Sequence, residues 1–503
     1  MPKISALPAA GTLTGSEAVL GVQAGADVQI PPSRFASFIN AFTQVGTGAV
    51  TRTVQTKLQE TVSIQDFGGD PTGTTDSTTA FNNALASLSG KGGDIYFPPG
   101  KYLINSSVTF SLPNSLFSVT IRGAGADNTI LYWPSGNGLT LDVVSIYNSF
   151  HIKDLTFSTG GAASGAGLII NGSINGVLAQ NTIENVTFRG DDFGTAKYWT
   201  FGVDISVTND VNFINVNILG KNGNTGTGIV IAGNSSYYAF NYYFTNCNIN
   251  ALNVGIEISS YTQGVLVCNC ALGANIGIYA PSGLSGTLTD LAVFGSQFAG
   301  GSGISLNTNF YQYMIVGNTF AVTTSNNGIN IPTNAGGSIT GNTFNPYQSS
   351  NIGTGINLGT TVTTFPTTIS GNTFYDLSEG IVLGSGAAYV SIQGNMITST
   401  TTPLVNSATA ATNWIVNNPG YNPVGTSASA NVGASVWTYT AGPSPETHYL
   451  NQSATFTASV HKNGVFIGEF PNASTITVVH LGPNESYTVT WATTAPTYVK
   501  DVH

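Results

Sequence analysis

Asp204 and Glu257 fill equivalent positions in a pattern, Gly–apolar–x–apolar, that recurs from Gly138 to Gly380. The pattern reads Gly202-Val-Asp-Ile and Gly255-Ile-Glu-Ile at these two sites, with Gly228-Ile-Val-Ile between them. Side chains alternate along a strand, so the x residues share one outward column: Thr140, Ile169, Asp204, Val230, Glu257, Tyr279, Ser305, Asn330, Asn357 and Val382. Two acids two repeats apart are a candidate acid and base for hydrolysis of a glycosidic bond, because strands stacked about 4.8 Å apart set them roughly 9.5 Å apart. Tyr279 offers a face for a sugar ring. The plain alternative is a solvated acid on each coil.

A second set of candidates lies in the insertion RGDDFGTAKYWTFG, residues 189–202, expected close to Asp204. Asp191 and Asp192 are its acids, and Lys197, Tyr198 and Trp199 could form the lip of a carbohydrate groove or simply a turn. Tyr237, Tyr238, Tyr242 and Tyr243 crowd a later repeat, as groove aromatics or as packing. Asp210 and Asp290 precede corner residues by five positions and share a column, three coils apart, and Asp376 and Glu379 form a weaker pair. No Lys or Arg occurs between Lys221 and Lys462, and no His between His151 and His448. A lyase needs a cation and a base, so hydrolysis is favoured in the middle of the chain, while Arg189, Lys197, Lys221 and His151 leave a lyase site open in the first coils. The same scarcity suits a neutral or weakly acidic glycan.

These residues are positioned by a repeat. Twelve times an apolar residue stands two places before a Gly, Asn or Asp: Gly123, Asp154, Asn185, Asn215, Asn246, Asn269, Gly295, Gly317, Gly341, Gly371, Gly394 and Asn417. In all but the first and last units a second apolar residue follows three places later. A strand, a left-handed corner and another strand every 20 to 30 residues specify a parallel β-solenoid, and the sequence lacks the Leu density of a leucine-rich repeat. The expected fold is an all-β, right-handed, single-stranded parallel β-helix of about 12 coils.

Composition agrees with that fold: 61 Gly in 503 residues, 41% hydrophobic, 7% charged. A net charge of -10 disfavours nucleic acid, no apolar run spans a membrane, and the first 30 residues lack a signal-peptide pattern. Cys247, Cys268 and Cys270 have no metal spacing, and Cys247 and Cys270 are expected as stacked buried thiols. No cofactor or metal is called for. The chain divides into residues 1–48, a hairpin-like segment ending in a helix; 49–68, a neck with Val54, Leu58 and Val62 at helical spacing; 69–120, a cap helix begun by Asp76 or Ser77 and the first strands; 121–423, the solenoid; and 430–503, a small β-sandwich-like domain whose four histidines are expected on its surface.

KISALPAAGTLTGSE resembles the virion-attachment end of phage tail fibres and spikes. VSIQDFGGDPTGTTDSTTAFNNAL and GGDIYFPPGKYLI are similar to the start of the pectate-lyase-like β-helices of phage tailspikes, and NNPGYNPVG, SPETHYL and YVKDVH resemble a C-terminal module of such proteins. The resemblance implies a homotrimeric polysaccharide depolymerase of the phage tail, attached to the tail or baseplate through residues 1–48 and acting on a bacterial surface polysaccharide. Within the entry motif, Asp66, Asp70 and Asp76 are read as turn and cap residues. A polysaccharide lyase, a non-catalytic receptor-binding spike and a secreted pectinase are the alternatives.

Overall fold

Asp154, Asn185, Asn215, Asn246, Asn269, Gly295, Gly317, Gly341, Gly371, Gly394 and Asn417 all adopt left-handed backbone, with φ between 52° and 66°. Gly123 does not: it is required by crowding instead, since a Cβ there would lie 2.3 Å from the Asp154 carbonyl oxygen. This computed structural model describes residues 19–23, 26–30 and 41–502, apart from residues 89, 174–179, 222, 224, 422–424, 427–429, 432–434, 443–444, 452–457, 471–475 and 493–494. It divides into two units, residues 1–62 and 63–503.

In the first unit, Val19–Gln23 pairs antiparallel with Ala26–Ile30, and Ala41–Thr43 with Thr51–Thr53. Residues 1–18 and the helix expected before residue 40 lie outside the described residues. The expected neck is a single helical turn, Val54–Leu58, begun by Thr53, whose hydroxyl accepts the Thr56 N–H, and Leu58 is exposed.

Among the described residues a continuous sheet of 35 strands runs from Val62–Ser63 to Trp414–Val416, and its successive coils pair in parallel on three faces. Face 1 runs into each left-handed corner (Val211–Ile214, Ala239–Thr245, Thr262–Cys268), face 2 leaves it (Asn217–Leu219, Gln297–Ala299, Thr319–Val322), and face 3 carries the Gly–apolar–x–apolar pattern (Trp199–Ser206, Thr227–Ala232, Ser302–Leu306). The helix Thr78–Ser87 buries Ala80, Phe81, Ala84 and Leu85 at the N-terminal end, Phe81 meeting Phe97 edge-on at 5.0 Å. Asp76 begins it, accepting the Thr78 N–H at 2.9 Å, whereas Ser77 makes no side-chain cap.

Inside, like stacks on like. Phe298, Phe320, Phe344 and Phe374 form a column with ring centroids 4.8 Å apart and planes within 8°. Gly277, Gly303, Gly328 and Gly355 of face 3 lie against these rings: a Cβ on Gly328 would meet Phe344 at 2.5 Å and the Gly355 carbonyl at 2.7 Å. Gly328→Ala must therefore move a ring or a backbone, and should cost about 1–3 kcal/mol in urea unfolding; a loss below roughly 0.5 kcal/mol would refute this account of the motif.

The residues just after the corners form a second column that the sequence reading missed. Asn318, Asn342, Asn372, Asn395 and Asn418 are buried, and each amide passes a hydrogen bond to the next: Nδ2 to Oδ1 at 3.0, 3.0, 2.9 and 2.8 Å. Ser296, Cys270 and Cys247 extend the column toward the N-terminus, with Cys247 N–H donating to Cys270 Sγ at 3.4 Å. The GNTF sequences carried this signal in the Asn after each corner Gly.

Among the described residues, 425–502 form a five-stranded and a four-stranded sheet, every pairing antiparallel, around Leu450, Val460, Val479, Leu481, Tyr487 and Val489. His448 is not on the surface as expected. It is buried between Glu446 and Tyr487, each 2.8 Å from a ring nitrogen, and Lys500 completes the charge balance at 3.2 Å from Glu446. Burial holds the imidazole below its ordinary value, and partners hold the Glu446 carboxyl down against the opposing effect of its burial.

Candidate active site

The outward column on face 3 has the expected register. Asp204 pairs with Val230, Val230 with Glu257 and Glu257 with Tyr279, while the residues either side, Val203, Ile205, Ile256 and Ile258, are fully buried. Both acids are half-buried, Asp204 standing between Ile169 and Val230 and Glu257 between Val230 and Tyr279. Burial raises the Asp204 carboxyl above its ordinary range. Burial also raises Glu257, and the negative charge of Asp204 raises it further. Both carboxyls shift the same way, and the added push of the Asp204 charge falls on Glu257 alone, which favours Glu257 as the one that keeps its proton, the part a general acid plays.

Asp142 joins this face and went unnoticed in the sequence because it lies one position past the pattern. It sits in the adjacent outward column, two coils before Ser206. Its carboxylate accepts from Ser111 Oγ at 2.6 Å and Asn171 Nδ2 at 3.1 Å. Below the pair, Tyr279 is followed by Ser305, Asn330 and Asn357, the last two linked amide to amide at 2.9 Å.

The insertion joins face 3 only through its last residues, which open the Trp199–Ser206 strand. It folds against the outward side of face 2, where Ser158 and Arg189 are buried and Tyr132 stands in the same row. Lys101, Asp127, Ile130, Ser158, Arg189, Asp191 and Phe193 line a cleft of about 400 Å³ there. Lys197 pairs with Asp191 at 2.8 Å, and Arg189 with Asp127 at 3.0 Å. Burial and the Asp191 charge raise the Tyr132 hydroxyl.

Other candidates have structural explanations. Trp199 is no groove residue: it is 3% exposed, packs on Trp133, and donates its indole N–H to the Phe157 carbonyl at 3.2 Å. Tyr242 is likewise fully buried, its hydroxyl donating to the Thr208 carbonyl. Asp192 organises its own turn, accepting the N–H groups of Gly194, Ala196 and Lys197, which help hold its carboxyl low despite desolvation. Asp210 and Asp290 are left-handed residues of a second row of corners that includes Asn241 and Gln312, and Asp290 has no carboxylate beside it in that row. Tyr243 is exposed on face 1 and Tyr238 packs edge-on against Tyr261 at the loop entering that face, so neither shares the Asp204 column. Tyr198 is partly exposed, its backbone tying the insertion to Gly161. His151 lies on face 1, apart from Arg189 and Lys197. Among the described residues no three His, Cys, Asp or Glu side chains could hold a metal ion.

Residues 61–275 match the family model for rhamnogalacturonase A/epimerase, pectate lyase-like. No curated protein matches the chain. Similar solved structures include the Dettilon tailspike protein, at 14% identity with 90% of this chain and 96% of that one covered and a TM-score of 0.46. Bacteriophage CBA120 tailspike protein 3 aligns at 16% identity, with 80% and 71% covered and a TM-score of 0.46. The A-module of Azotobacter vinelandii mannuronan C-5 epimerase AlgE4 aligns at 19%, with 70% and 99% covered and a TM-score of 0.45. Residues 61–275 are thus similar to a pectate-lyase-like domain, and the strand pairing carries the parallel β-helix onward to Val416.

Proposed function

We propose that this chain is a phage tailspike that binds a bacterial surface polysaccharide and cleaves it internally by hydrolysis, with Glu257 as general acid and Asp204 as general base. The register that sets the two acids two coils apart on one solvent-facing column, with the Asp204 charge adding to the rise of Glu257, carries the reading. A backbone separation of about 9.5 Å lets the carboxyl groups lean into the range of about 6.5 to 9.5 Å that leaves room for a water opposite the leaving group, so the product should form with inversion at the anomeric carbon. Tyr279 supports the adjoining sugar ring. The resemblance of residues 3–17 to virion-attachment segments supports a place on the phage tail, and the same family pattern supports a homotrimer.

Purified chain incubated with capsule or O-antigen from candidate hosts should release new reducing ends without the ultraviolet absorbance of a new double bond. Absorbance would establish a lyase instead, and binding without new ends a receptor-binding spike.

A further inference from the structure

The cleft under the insertion is separate from the carboxylate column and has a chemistry of its own. Around it stand three cations, Lys101, Arg189 and Lys197, against two carboxylates, Asp127 and Asp191, in a chain whose net charge is -10. Each carboxylate already has its cation: Asp127 takes Arg189 and Asp191 takes Lys197. Lys101 has no carboxylate among the described residues. Its Nζ lies 3.7 Å from the centre of the Tyr132 ring, a position that leaves the ammonium's positive charge unneutralised.

The floor is also incomplete. Arg189, 5% exposed, and Ser158, 1% exposed, both line the cleft, yet Arg189 Nε and Ser158 Oγ are buried with no hydrogen-bond partner. Buried polar atoms are normally satisfied, so each orphan calls for a partner. Phe193 stands at the rim, 63% exposed on left-handed backbone, with one side of its ring against the Arg189 guanidinium. A small inorganic anion would need the charge but not the exposed ring. A sugar ring uses both, its carboxylate meeting the ammonium and its C–H face the aromatic.

We infer that the cleft between face 2 and residues 191–197 binds a carboxylate-bearing sugar residue of the polysaccharide, with Lys101 pairing to the carboxylate and Phe193 supporting the ring. This rests on the reading of the chain as a polysaccharide-binding protein, and not on the roles of Asp204 and Glu257. It makes the preferred glycan acidic at intervals, against the expectation from overall charge, because three of the chain's 13 Lys and Arg residues, Lys101, Arg189 and Lys197, stand together around this cleft.

The test uses the full chain carrying Asp204→Asn and Glu257→Gln, so that nothing is turned over, and measures binding of tri-galacturonate and of maltotriose by calorimetry. Tri-galacturonate should bind roughly tenfold or more tighter than maltotriose, and Lys101→Met should remove roughly that factor while leaving the melting curve in place. Phe193→Ala, on an exposed ring, should weaken binding severalfold without unfolding. Equal affinity for the two trisaccharides, no binding of tri-galacturonate, or a folded Lys101→Met variant that binds like its parent would overturn the proposal. Competition by inorganic phosphate as strong as by galacturonate would reduce the cleft to a simple anion site and overturn it too. Absent cleavage by the unsubstituted chain would defeat the hydrolase assignment and leave this result standing.

Discussion

Glu257→Gln should lower the rate of reducing-end release by roughly 10²–10⁴-fold, and Asp204→Asn by a comparable factor, with substrate binding little changed. Glutamine cannot deliver a proton to the departing sugar oxygen, and asparagine cannot activate the water on the opposite face. The electrostatics sharpen the test. Because the Asp204 charge raises Glu257, its removal should let Glu257 titrate lower, an effect visible by carboxyl NMR in Asp204→Asn. Each raised carboxyl favours the folded state fully below its ordinary value, 3.8 for Asp204 and 4.5 for Glu257, and that contribution is lost as pH rises through the raised value. Asp204→Asn should therefore melt higher than wild type near pH 8 and alike below about pH 3.5. A variant equally active, or equally stable at both pH values, removes the pair from the mechanism.

Asn342→Ala should destabilise the solenoid by about 3 kcal/mol or more, read by urea unfolding. Asn342 is 1% exposed and serves three coils at once. Its Nδ2 donates to the Ile315 carbonyl at 2.9 Å and to Asn372 Oδ1 at 3.0 Å, while its Oδ1 accepts the Asn318 backbone N–H at 2.9 Å and Nδ2 at 3.0 Å. Alanine leaves those groups buried, with no water to take the amide's place, and relaxation of the coil recovers only part of the cost. Asn345→Ala, three residues on and partly exposed, should cost under about 0.5 kcal/mol and serves as the control. A loss at Asn342 no larger than at Asn345 would mean the column does not hold the coils together.

What could be read from the sequence followed a simple division. Corner residues and face 3 were legible because each rests on a local rule, tolerance of left-handed backbone or alternation along a strand, repeated often enough to fix the phase. That phase alone placed Asp204, Val230, Glu257 and Tyr279 in one column. The insertion was not legible in the same way. Its aromatic and charged residues announced a special loop, but which face it would fold upon depends on the path of residues 190–198 across a corner, and no periodicity reports that. Trp199 was misjudged because an aromatic residue beside charges looks like a binding residue until the strand it opens turns its ring inward. Asp142 was missed for the opposite reason, a residue one step outside a motif whose neighbours on other coils make it a partner. His448 stood among four scattered histidines, and nothing in their spacing distinguished the one enclosed by Glu446 and Tyr487.

The asparagine column makes adjoining coils interchangeable. Asn318, Asn342, Asn372 and Asn395 each offer the same donor below and the same acceptor above, and the phenylalanines beside the first three repeat the same fit. A whole coil, such as residues 342–371, could thus be deleted or duplicated and the cut ends would still find matching partners. The length of the solenoid below the proposed site is then free to change by one coil at a time, adjusting how far residues 425–502 stand from Asp204 and Glu257 along the chain while leaving the coils that carry those two acids unaltered.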